Sequence, residues 1–247
     1  MCILLLCLDN IYMSKILIFG NQKGGTGKTI CTMLTATALS QSPFGLKVCV
    51  IDLDNQKSFY DQRAMDVVAY DPAPPPYEVI DMDIHQLQAQ IKDLDLKYDV
   101  ILMDTAGKLD TDKTAEHQEI TKALMFADYL ILPFVAGLYN VKATLKYLDV
   151  AMQLQTARQL SNRPLTLFGF MARFRPKARQ TQYLQEDLAA ITASTGLKVL
   201  ETPLYEYLTY SDGDTYKSLF DTSSKEPAKM NFASWLLEIC KTINLIE

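Results

Sequence analysis

A glycine-rich stretch between a buried-type strand and a helix constrains this chain more than any other feature. It reads Phe-Gly-Asn-Gln-Lys-Gly-Gly-Thr-Gly-Lys-Thr over residues 19–29. The apolar run at 15–19 predicts a strand, and the pattern from Thr29 to about Ser40 predicts a helix. A glycine-rich turn at such a junction surrounds an anion with backbone N–H groups and with the positive end of the helix. The stretch therefore predicts a phosphate-binding loop.

The residues of this loop have separate predicted tasks. Gly24, Gly25 and Gly27 let the backbone turn and approach a phosphate closely, because they have no Cβ. Lys28 can reach the β- and γ-phosphates of a nucleotide. The hydroxyl of Thr29 can hold Mg²⁺.

The loop departs at one residue from the common pattern G-x-x-x-x-G-K-S/T. Gln22 stands in place of the first glycine, and Lys23 adds a lysine at the start of the loop. This form resembles the deviant Walker A motif of the ParA/MinD family of ATPases. The resemblance implies that Lys23 and Lys28 are catalytic and that Lys23 reaches across a two-fold axis to the nucleotide of a partner subunit. The nucleotide-binding segment that it implies contains Lys23, Gly24, Gly25, Thr26, Gly27, Lys28, Thr29 and Ile30.

Short apolar strands alternate with helical patterns along the rest of the chain. Further strands are predicted at 47–51, 77–80, 98–104, 129–134, 165–171 and 197–200. Helices are predicted at 58–69, 84–94, 114–126, 141–160, 180–194 and 228–243. This alternation predicts an α/β fold with a mostly parallel sheet and helices on both faces. The family resemblance makes it a P-loop NTPase-like fold of the deviant Walker A subgroup.

An acidic segment follows the second predicted strand. Asp52, Asp54 and Gln56 form a D-x-D-x-Q pattern that begins 24 residues after Lys28. It resembles the second acidic motif of the family, D-x-D-P-Q, with Asn55 in place of proline. The resemblance implies that Asp52 is catalytic, because it positions or activates the attacking water near Mg²⁺. Asp54 and Gln56 would belong to a switch loop that senses the γ-phosphate.

A second carboxylate, Asp104, follows the apolar run at 100–103. It resembles a Walker B aspartate, which implies that Asp104 holds Mg²⁺ through water together with Thr29, with Asp52 also near the metal through water. The Asp-Thr-Ala-Gly sequence that begins at Asp104 is similar to that of signal-recognition GTPases. This similarity raises a GTP alternative. The sequence contains no guanine-reading N/T-K-x-D tetrad, and Lys23 favours the ATPase branch.

Four cations lie within seven residues after a predicted strand. The formal net charge of the chain is -5, so a nucleic-acid contact has to come from such a local patch. A patch of this kind gives salt-sensitive binding without sequence preference. A solvated loop explains the residues equally well, and both interpretations stay open. The candidate DNA contacts are Arg173, Arg175, Lys177 and Arg179.

Recognition of the adenine is less clearly indicated. Arg173 is predicted to lie near the base by resemblance, although Ala172 replaces the Asn that often precedes this position. Pro203 begins a segment placed like the adenine loop of the family, often Pro-x-Arg, but Tyr205 stands where the Arg would be.

The resemblance fits the short form of ParA-like proteins best, because the loop starts close to the amino end. It implies that ATP drives formation of a sandwich homodimer that binds DNA without sequence preference. A ParB-like adaptor at a centromere-like site would then stimulate a slow, Mg²⁺-dependent hydrolysis of ATP. Such proteins partition plasmids or chromosomes, which predicts a cytoplasmic, nucleoid-associated protein.

Three alternative functions each require a sequence feature that this chain has weakly or lacks. A MinD-like membrane-positioning ATPase needs a terminal amphipathic helix with basic residues beside its apolar face. The end of the chain, 231–247, has Lys241 as its one cation and predicts core packing, so no stable membrane association is expected. A cluster carrier needs paired cysteines, and no two of the five are spaced as C-x-x-C. A bacterial tyrosine kinase would end in a tyrosine-rich tail, but the tyrosine cluster here precedes the final predicted helix.

The start of the chain is predicted to stand apart from the rest. Residues 1–12 are apolar but far shorter than the ~20 residues that span a bilayer. We interpret them as an upstream extension or a misassigned start, with an added edge strand or a dimer contact as the alternative. Residues 13–247 are then predicted to form one P-loop ATPase domain. The odd number of cysteines, without a disulfide framework, indicates a reducing cytoplasm.

Overall fold

The computed structural model describes residues 14–106, 115–211 and 213–246. The predicted extension at 1–12 therefore lies outside the described residues, as does Gly107 of the Asp-Thr-Ala-Gly sequence.

Eight strands of the described chain form one sheet in which every pairing is parallel. The order is β3-β2-β4-β1-β5-β6-β7, and β8 pairs with β6. The predicted parallel α/β fold is confirmed. The sequence pattern did not predict β8, which has two residues. The strands are β1 Lys15–Phe19, β2 Val48–Asp52, β3 Glu78–Asp81, β4 Val100–Asp104, β5 Tyr129–Val135, β6 Thr166–Phe174, β7 Lys198–Val199 and β8 Leu204–Tyr205.

Helices connect these strands and cover both faces of the sheet. A capping box at Asp83 and Gln86 starts α3, and Pro227 occupies the first turn of α8, where its missing N–H has no cost. The four-residue α7 is too short to give a periodic pattern, and it was not predicted. The helices are α1 Lys28–Leu39, α2 Ser58–Ala69, α3 Ile84–Lys97, α4 Ala115–Leu124, α5 Leu138–Arg158, α6 Arg179–Thr195, α7 Leu208–Ser211 and α8 Pro227–Thr242.

The alternation of side chains along each strand divides the core into two apolar clusters. In β1, Ile16 and Ile18 point to a cluster with α3, α4, α5 and α6, whereas Leu17 and Phe19 point to one with α1, α2, α7 and α8. All four side chains are at most 1% exposed. Burial on both faces explains why the strands read as continuous apolar runs.

The final helix, α8, packs its apolar side chains into the second cluster. Trp235, Leu236 and Ile239 are at most 1% exposed, as is Ile243 just after the helix. The predicted role of this helix in core packing is confirmed. Within the described ranges, no helix combines the length and the hydropathy that a membrane span requires.

Strand β1 lies at the centre of the sheet, between β4 and β5. The chain builds β2, β3 and β4 on one side of β1 and then β5, β6 and β7 on the other. In open parallel sheets, ligands bind beyond the carboxyl ends of the strands where the strand order reverses in this way. The loop after β1, which contains the predicted phosphate-binding residues, lies at this position.

Candidate functional site

The loop between β1 and α1 has the backbone of an anion-binding turn. Gly25 and Gly27 have φ angles of 74° and 91°, a region that favours glycine because it has no Cβ. A Cβ built on Gly24, Gly25 or Gly27 would meet no atom within 4 Å. The space in front of the loop is therefore open, and α1 begins directly behind it at Lys28. This arrangement fits a phosphate group bound by backbone N–H groups at a helix N-terminus.

The side chain of Lys28 is buried within this loop. The residue is 8% exposed, and its Nζ donates a 3.5 Å hydrogen bond to the carbonyl oxygen of Lys23. Burial lowers the pKa of Lys28, and the carboxylates of Asp104 and Asp54 oppose this shift. A buried ammonium whose hydrogen bond is at the long limit gains strongly from a closer anionic acceptor. Lys28 therefore lies where its ammonium could contact a phosphate, and this role stays a prediction.

Thr29 and Asp104 form the pair that the sequence predicted for Mg²⁺. The Thr29 hydroxyl donates a 2.9 Å hydrogen bond to Oδ2 of Asp104. Asp104 is 1% exposed, and its Oδ1 has no hydrogen-bond partner among the groups that the structure describes. Burial raises the pKa of Asp104 to about 7, while the Thr29 hydrogen bond acts in the opposite direction.

A buried carboxylate oxygen without a partner is costly, and it indicates a missing cation, water or donor. Hydroxyl and carboxylate oxygens are the ligands that Mg²⁺ takes, often with several of its waters retained. The residues present therefore fit a hydrated Mg²⁺ bound between the loop and the end of β4.

Asp52 lies beside Asp104 because β2 and β4 pair in register at these two residues. Asp52 is 0% exposed and accepts backbone hydrogen bonds from Tyr60 and Asp54, both of 3.0 Å. Burial raises the pKa of Asp52, and the two backbone donors oppose the shift. Two N–H donors fix the orientation of this carboxylate next to Asp104. The structure thus brings the two predicted acidic residues together at one edge of the sheet.

Lys23 lies on the exposed surface of the loop. Its Nζ donates a 2.6 Å hydrogen bond to Oδ1 of Asn140, in the first turn of α5. Its backbone N–H donates a 3.0 Å hydrogen bond to Oδ1 of Asn21. In this structure the ammonium therefore contacts its own chain.

A cavity of about 310 Å³ adjoins the loop on the side of β6 and β8. Its lining includes Gly27 and Ile30 from the loop side and Arg173 from the end of β6. Tyr205 and Tyr207 also line it, with their rings stacked at a centroid distance of 6.0 Å. Such aromatic faces suit a planar base, which binds by stacking.

The sequence placed Tyr205 only as the residue at the position of the expected Arg, and it did not indicate Tyr207 as a pocket residue. Pro203 directly precedes β8, and its carbonyl oxygen accepts a hydrogen bond from Asn231. Its contact with adenine stays a prediction.

The basic segment at 173–179 is partly neutralised. Arg173 donates to Oε1 of Glu206 at 2.5 Å, and Arg175 bonds Oε2 of the same carboxylate. These arginines hold the pKa of Glu206 below its usual range, with the Arg175 hydrogen bond as the largest cause. Lys177 is exposed, and the Arg179 guanidinium lies over the ring of Tyr183. The sequence did not reveal that Glu206 would meet the two arginines.

Arg173 also connects the basic segment to the phosphate loop. Its φ of 52° is unusual for a residue with a side chain, and it coincides with a break in the β6–β8 register. Its Nη1 donates a 3.3 Å hydrogen bond to the carbonyl oxygen of Gly25. Backbone strain of this kind concentrates at functional sites.

The fold and this edge of the sheet define a nucleotide-binding domain. The family model for the CobQ/CobB/MinD/ParA nucleotide binding domain matches residues 17–213. The chain belongs to this family, and the predicted ParA/MinD resemblance is confirmed.

Solved structures with the same fold include proteins of several activities. A plasmid partition protein from Borrelia burgdorferi is 21% identical, over 93% of this chain and 99% of that chain, with a TM-score of 0.64. A McdA variant from Cyanothece, solved as an ATP complex, is 17% identical over 95% and 98% of the two chains, with a TM-score of 0.66. Cobyrinic acid a,c-diamide synthase from Mycobacterium smegmatis, solved with ADP and magnesium, is 14% identical over 94% and 96%, with a TM-score of 0.64. A comparison with curated protein sequences finds no match.

Proposed function

We propose that this protein is a Mg²⁺-dependent ATPase that dimerises when it binds ATP and acts as a partition-type switch on DNA. The observation that carries the proposal is the Thr29–Asp104 pair behind an open glycine loop, with one oxygen of Asp104 left without a partner. Plasmid partition in the Borrelia relative and ATP in the McdA complex support the choice within the family.

Each polar group at the sheet edge has a proposed role in hydrolysis. The N–H groups of the loop and the ammonium of Lys28 hold the β- and γ-phosphates. Thr29 and Asp104 hold the hydrated metal, which when bound neutralises charge that develops on the phosphates. Asp52, oriented by its two backbone donors, accepts a hydrogen bond from the attacking water and fixes its direction. Positioning and charge stabilisation of this kind provide most of the catalysis in phosphoryl transfer.

Lys23 is proposed to complete the site of a second copy of the chain. It is exposed at the rim of the loop, so its ammonium can reach a neighbouring molecule. A cation supplied by a partner makes hydrolysis depend on dimerisation, because the charge arrives only with the second subunit.

The basic segment at 173–179 is the proposed DNA surface. Lys177 and Arg179 are exposed, whereas Arg173 and Arg175 are paired with Glu206. Binding through these cations would be independent of DNA sequence and sensitive to salt. A ParB-like adaptor is the proposed partner that stimulates hydrolysis and releases the DNA.

The alternative of a MinD-like membrane ATPase has less support. It needs an exposed apolar face on a terminal helix, and the large apolar side chains of α8 lie mostly in the core.

The test combines ATP hydrolysis with retention on duplex DNA. Wild type should hydrolyse ATP and bind duplex in ATP and Mg²⁺, and Lys23→Ala should keep nucleotide binding but lose dimer-dependent hydrolysis. Normal hydrolysis by Lys23→Ala would overturn the assignment of the deviant loop.

A charge-removal variant tests the DNA surface, at an ATP concentration that saturates the variant because Arg173 also lines the cavity beside the loop. Alanine at the four basic positions should weaken duplex binding and flatten its salt dependence, whereas unchanged retention would exclude this surface. The matched control removes four exposed lysines that lie elsewhere on the protein, Lys47, Lys92, Lys198 and Lys241.

A further inference from the structure

Lys23 is held at two points by its own chain. Its backbone N–H donates to Asn21, and its Nζ donates to Asn140 at 2.6 Å. Asn140 belongs to the first turn of α5, which starts directly after Gly137. The ammonium is thus hydrogen-bonded to a neighbouring helix, in a contact that is exposed to solvent.

The amide of Asn140 is oriented toward Lys23 by its other contacts. Its Nδ2 donates a 2.8 Å hydrogen bond to the carbonyl oxygen of Ala136. Its backbone N–H donates to the carbonyl oxygen of Gly137 at 2.9 Å. With Nδ2 engaged on the side of β5, Oδ1 is the atom presented to the loop. The hydrogen bond to Lys23 is therefore prepared by the fold of this helix start.

A buried chain of hydrogen bonds connects the two points at which Lys23 is held. Asn21 donates from Nδ2 to the Thr144 hydroxyl at 2.7 Å, and this hydroxyl donates to the carbonyl oxygen of Asn140 at 2.9 Å. Asn21 and Thr144 are at most 1% exposed. The first two turns of α5 therefore fix both the backbone and the side chain of Lys23.

The surface next to this contact is apolar and exposed. Leu138 is 63% exposed and Tyr139 is 80% exposed, directly before Asn140 in the chain. Large apolar side chains exposed beside a cation are suited to a surface that a second copy covers. The contact between Lys23 and Asn140 would lie at the border of such a surface.

From this geometry we propose that Asn140 is a positioning residue that retains Lys23 on its own chain until a second ATP-bound copy binds. The proposal rests on the proposed function, in which Lys23 acts on the nucleotide of the partner. Lys23 must leave Asn140 before it can reach across. The hydrogen bond between them therefore competes with dimerisation and raises the ATP concentration at which the dimer forms.

The size of this competition is modest because the contact is exposed to solvent. An exposed contact of this kind changes an equilibrium by up to about five-fold. Asn140 thus adjusts the threshold for dimerisation. Once the dimer has formed, Lys23 no longer contacts Asn140, so the catalytic rate at saturating ATP does not depend on it.

Two substitutions with opposite expected effects test the proposal. Asn140→Ala removes the acceptor and should lower the ATP concentration for half-maximal dimerisation by about three-fold in sedimentation velocity. Asn140→Asp makes the contact an ion pair and should raise this concentration by up to about five-fold. For both variants, kcat at saturating ATP should stay within two-fold of wild type. Shifts in opposite directions at constant kcat would not result from mere damage to the helix.

Two controls make the outcome decisive. Asn162→Ala replaces an exposed asparagine at the other end of the sheet and should leave the ATP dependence unchanged. The Kd for ADP with Mg²⁺ should be the same for all variants, which separates retention of Lys23 from a change in nucleotide binding. If the two Asn140 variants dimerise like Asn162→Ala, or shift in the same direction, the proposal is wrong while the proposed function stands. If wild type itself does not dimerise with ATP, both are wrong.

Discussion

The two ends of the sheet differ in whether their buried or partly buried charged side chains find partners within the chain. At the amino ends of the strands, Arg163 bonds both oxygens of Asp128, one oxygen of Asp95 and the carbonyl oxygen of Ser14, at 2.6–2.9 Å. The second oxygen of Asp95 accepts hydrogen bonds from the N–H and hydroxyl of Ser14. Every carboxylate oxygen of this cluster has a partner within the chain.

At the carboxyl ends of the strands, the charged side chains lack part of their hydrogen-bond partners. Asp104 has an oxygen with no partner in the described part of the chain, and Lys28 has a hydrogen bond of 3.5 Å. Both side chains are as buried as those of the Arg163 cluster or more so. An ion cluster that only stabilises a fold satisfies its own groups. The difference therefore indicates that a ligand supplies the missing partners of Asp104 and Lys28. The following substitutions test this interpretation.

The largest effect is expected for Lys28→Ala. Loss of a buried charged partner of the phosphates should weaken ATP binding by about a thousand-fold, or about 4 kcal/mol. The melting temperature of the nucleotide-free protein should change little, because no internal partner loses a good hydrogen bond. Titration calorimetry measures the affinity, and Lys47→Ala, at an exposed lysine of the opposite end, should bind ATP like wild type. Equal affinity of the two variants would remove Lys28 from the site.

Arg163→Ala should lower the stability of the protein and leave its affinity for ATP unchanged. It leaves Asp95 and Asp128 without their cation, which should cost about 3 kcal/mol of the free energy of unfolding. Urea denaturation should reveal this loss, while the folded fraction binds ATP with unchanged affinity. Arg163→Lys keeps the charge but not the forked geometry, so its stability should lie between those of alanine and wild type. A loss of ATP affinity without a loss of stability would contradict the structural role of this cluster.

Asp104→Asn should stabilise the nucleotide-free protein by about 1–2 kcal/mol, because it removes a buried charge that Lys28 and the Thr29 hydroxyl compensate only in part. The same variant should lose the additional rise in melting temperature that Mg²⁺ gives with ATP. Asp128→Asn provides the matched comparison and should lower stability. If Asp104→Asn were destabilising to the same degree, the two ends of the sheet would not differ as described.

The smallest effect is expected for Glu206→Gln. Removal of this carboxylate frees Arg173 and Arg175 from their ion pairs and should strengthen duplex retention by about three- to five-fold at low salt. Glu201→Gln, at an exposed position away from the arginines, serves as the control. Weaker retention of Glu206→Gln would show that the pairs hold the arginines in the geometry that DNA needs.

The part of the site that could be predicted from the sequence is the part that follows a strand directly. Gly25, Lys28, Asp52 and Asp104 each lie at or just after the end of an apolar run. The carboxyl ends of neighbouring parallel strands meet at one edge, so a local pattern is enough to bring these residues together. The fold was also predictable from local patterns, because long periodic helices and apolar strands dominate it.

The residues that the sequence did not reveal act through distant contacts. Asn140 meets Lys23 across 117 positions, and Glu206 meets Arg173 across 33. Neither belongs to a periodic pattern or a motif, and each partner is selected by the packing of α5 or by the path of β8. A two-residue strand such as β8 carries too little pattern to be recognised. Side-chain pairing at the rim of the site therefore required the structure.

Sedimentation velocity of the wild-type protein with saturating ATP and Mg²⁺ tests the account most directly. The nucleotide and a second copy of the chain should supply the missing partners at the carboxyl end of the sheet. The protein should therefore sediment as a dimer with ATP and as a monomer with ADP. A single monomeric species under both conditions would contradict the account.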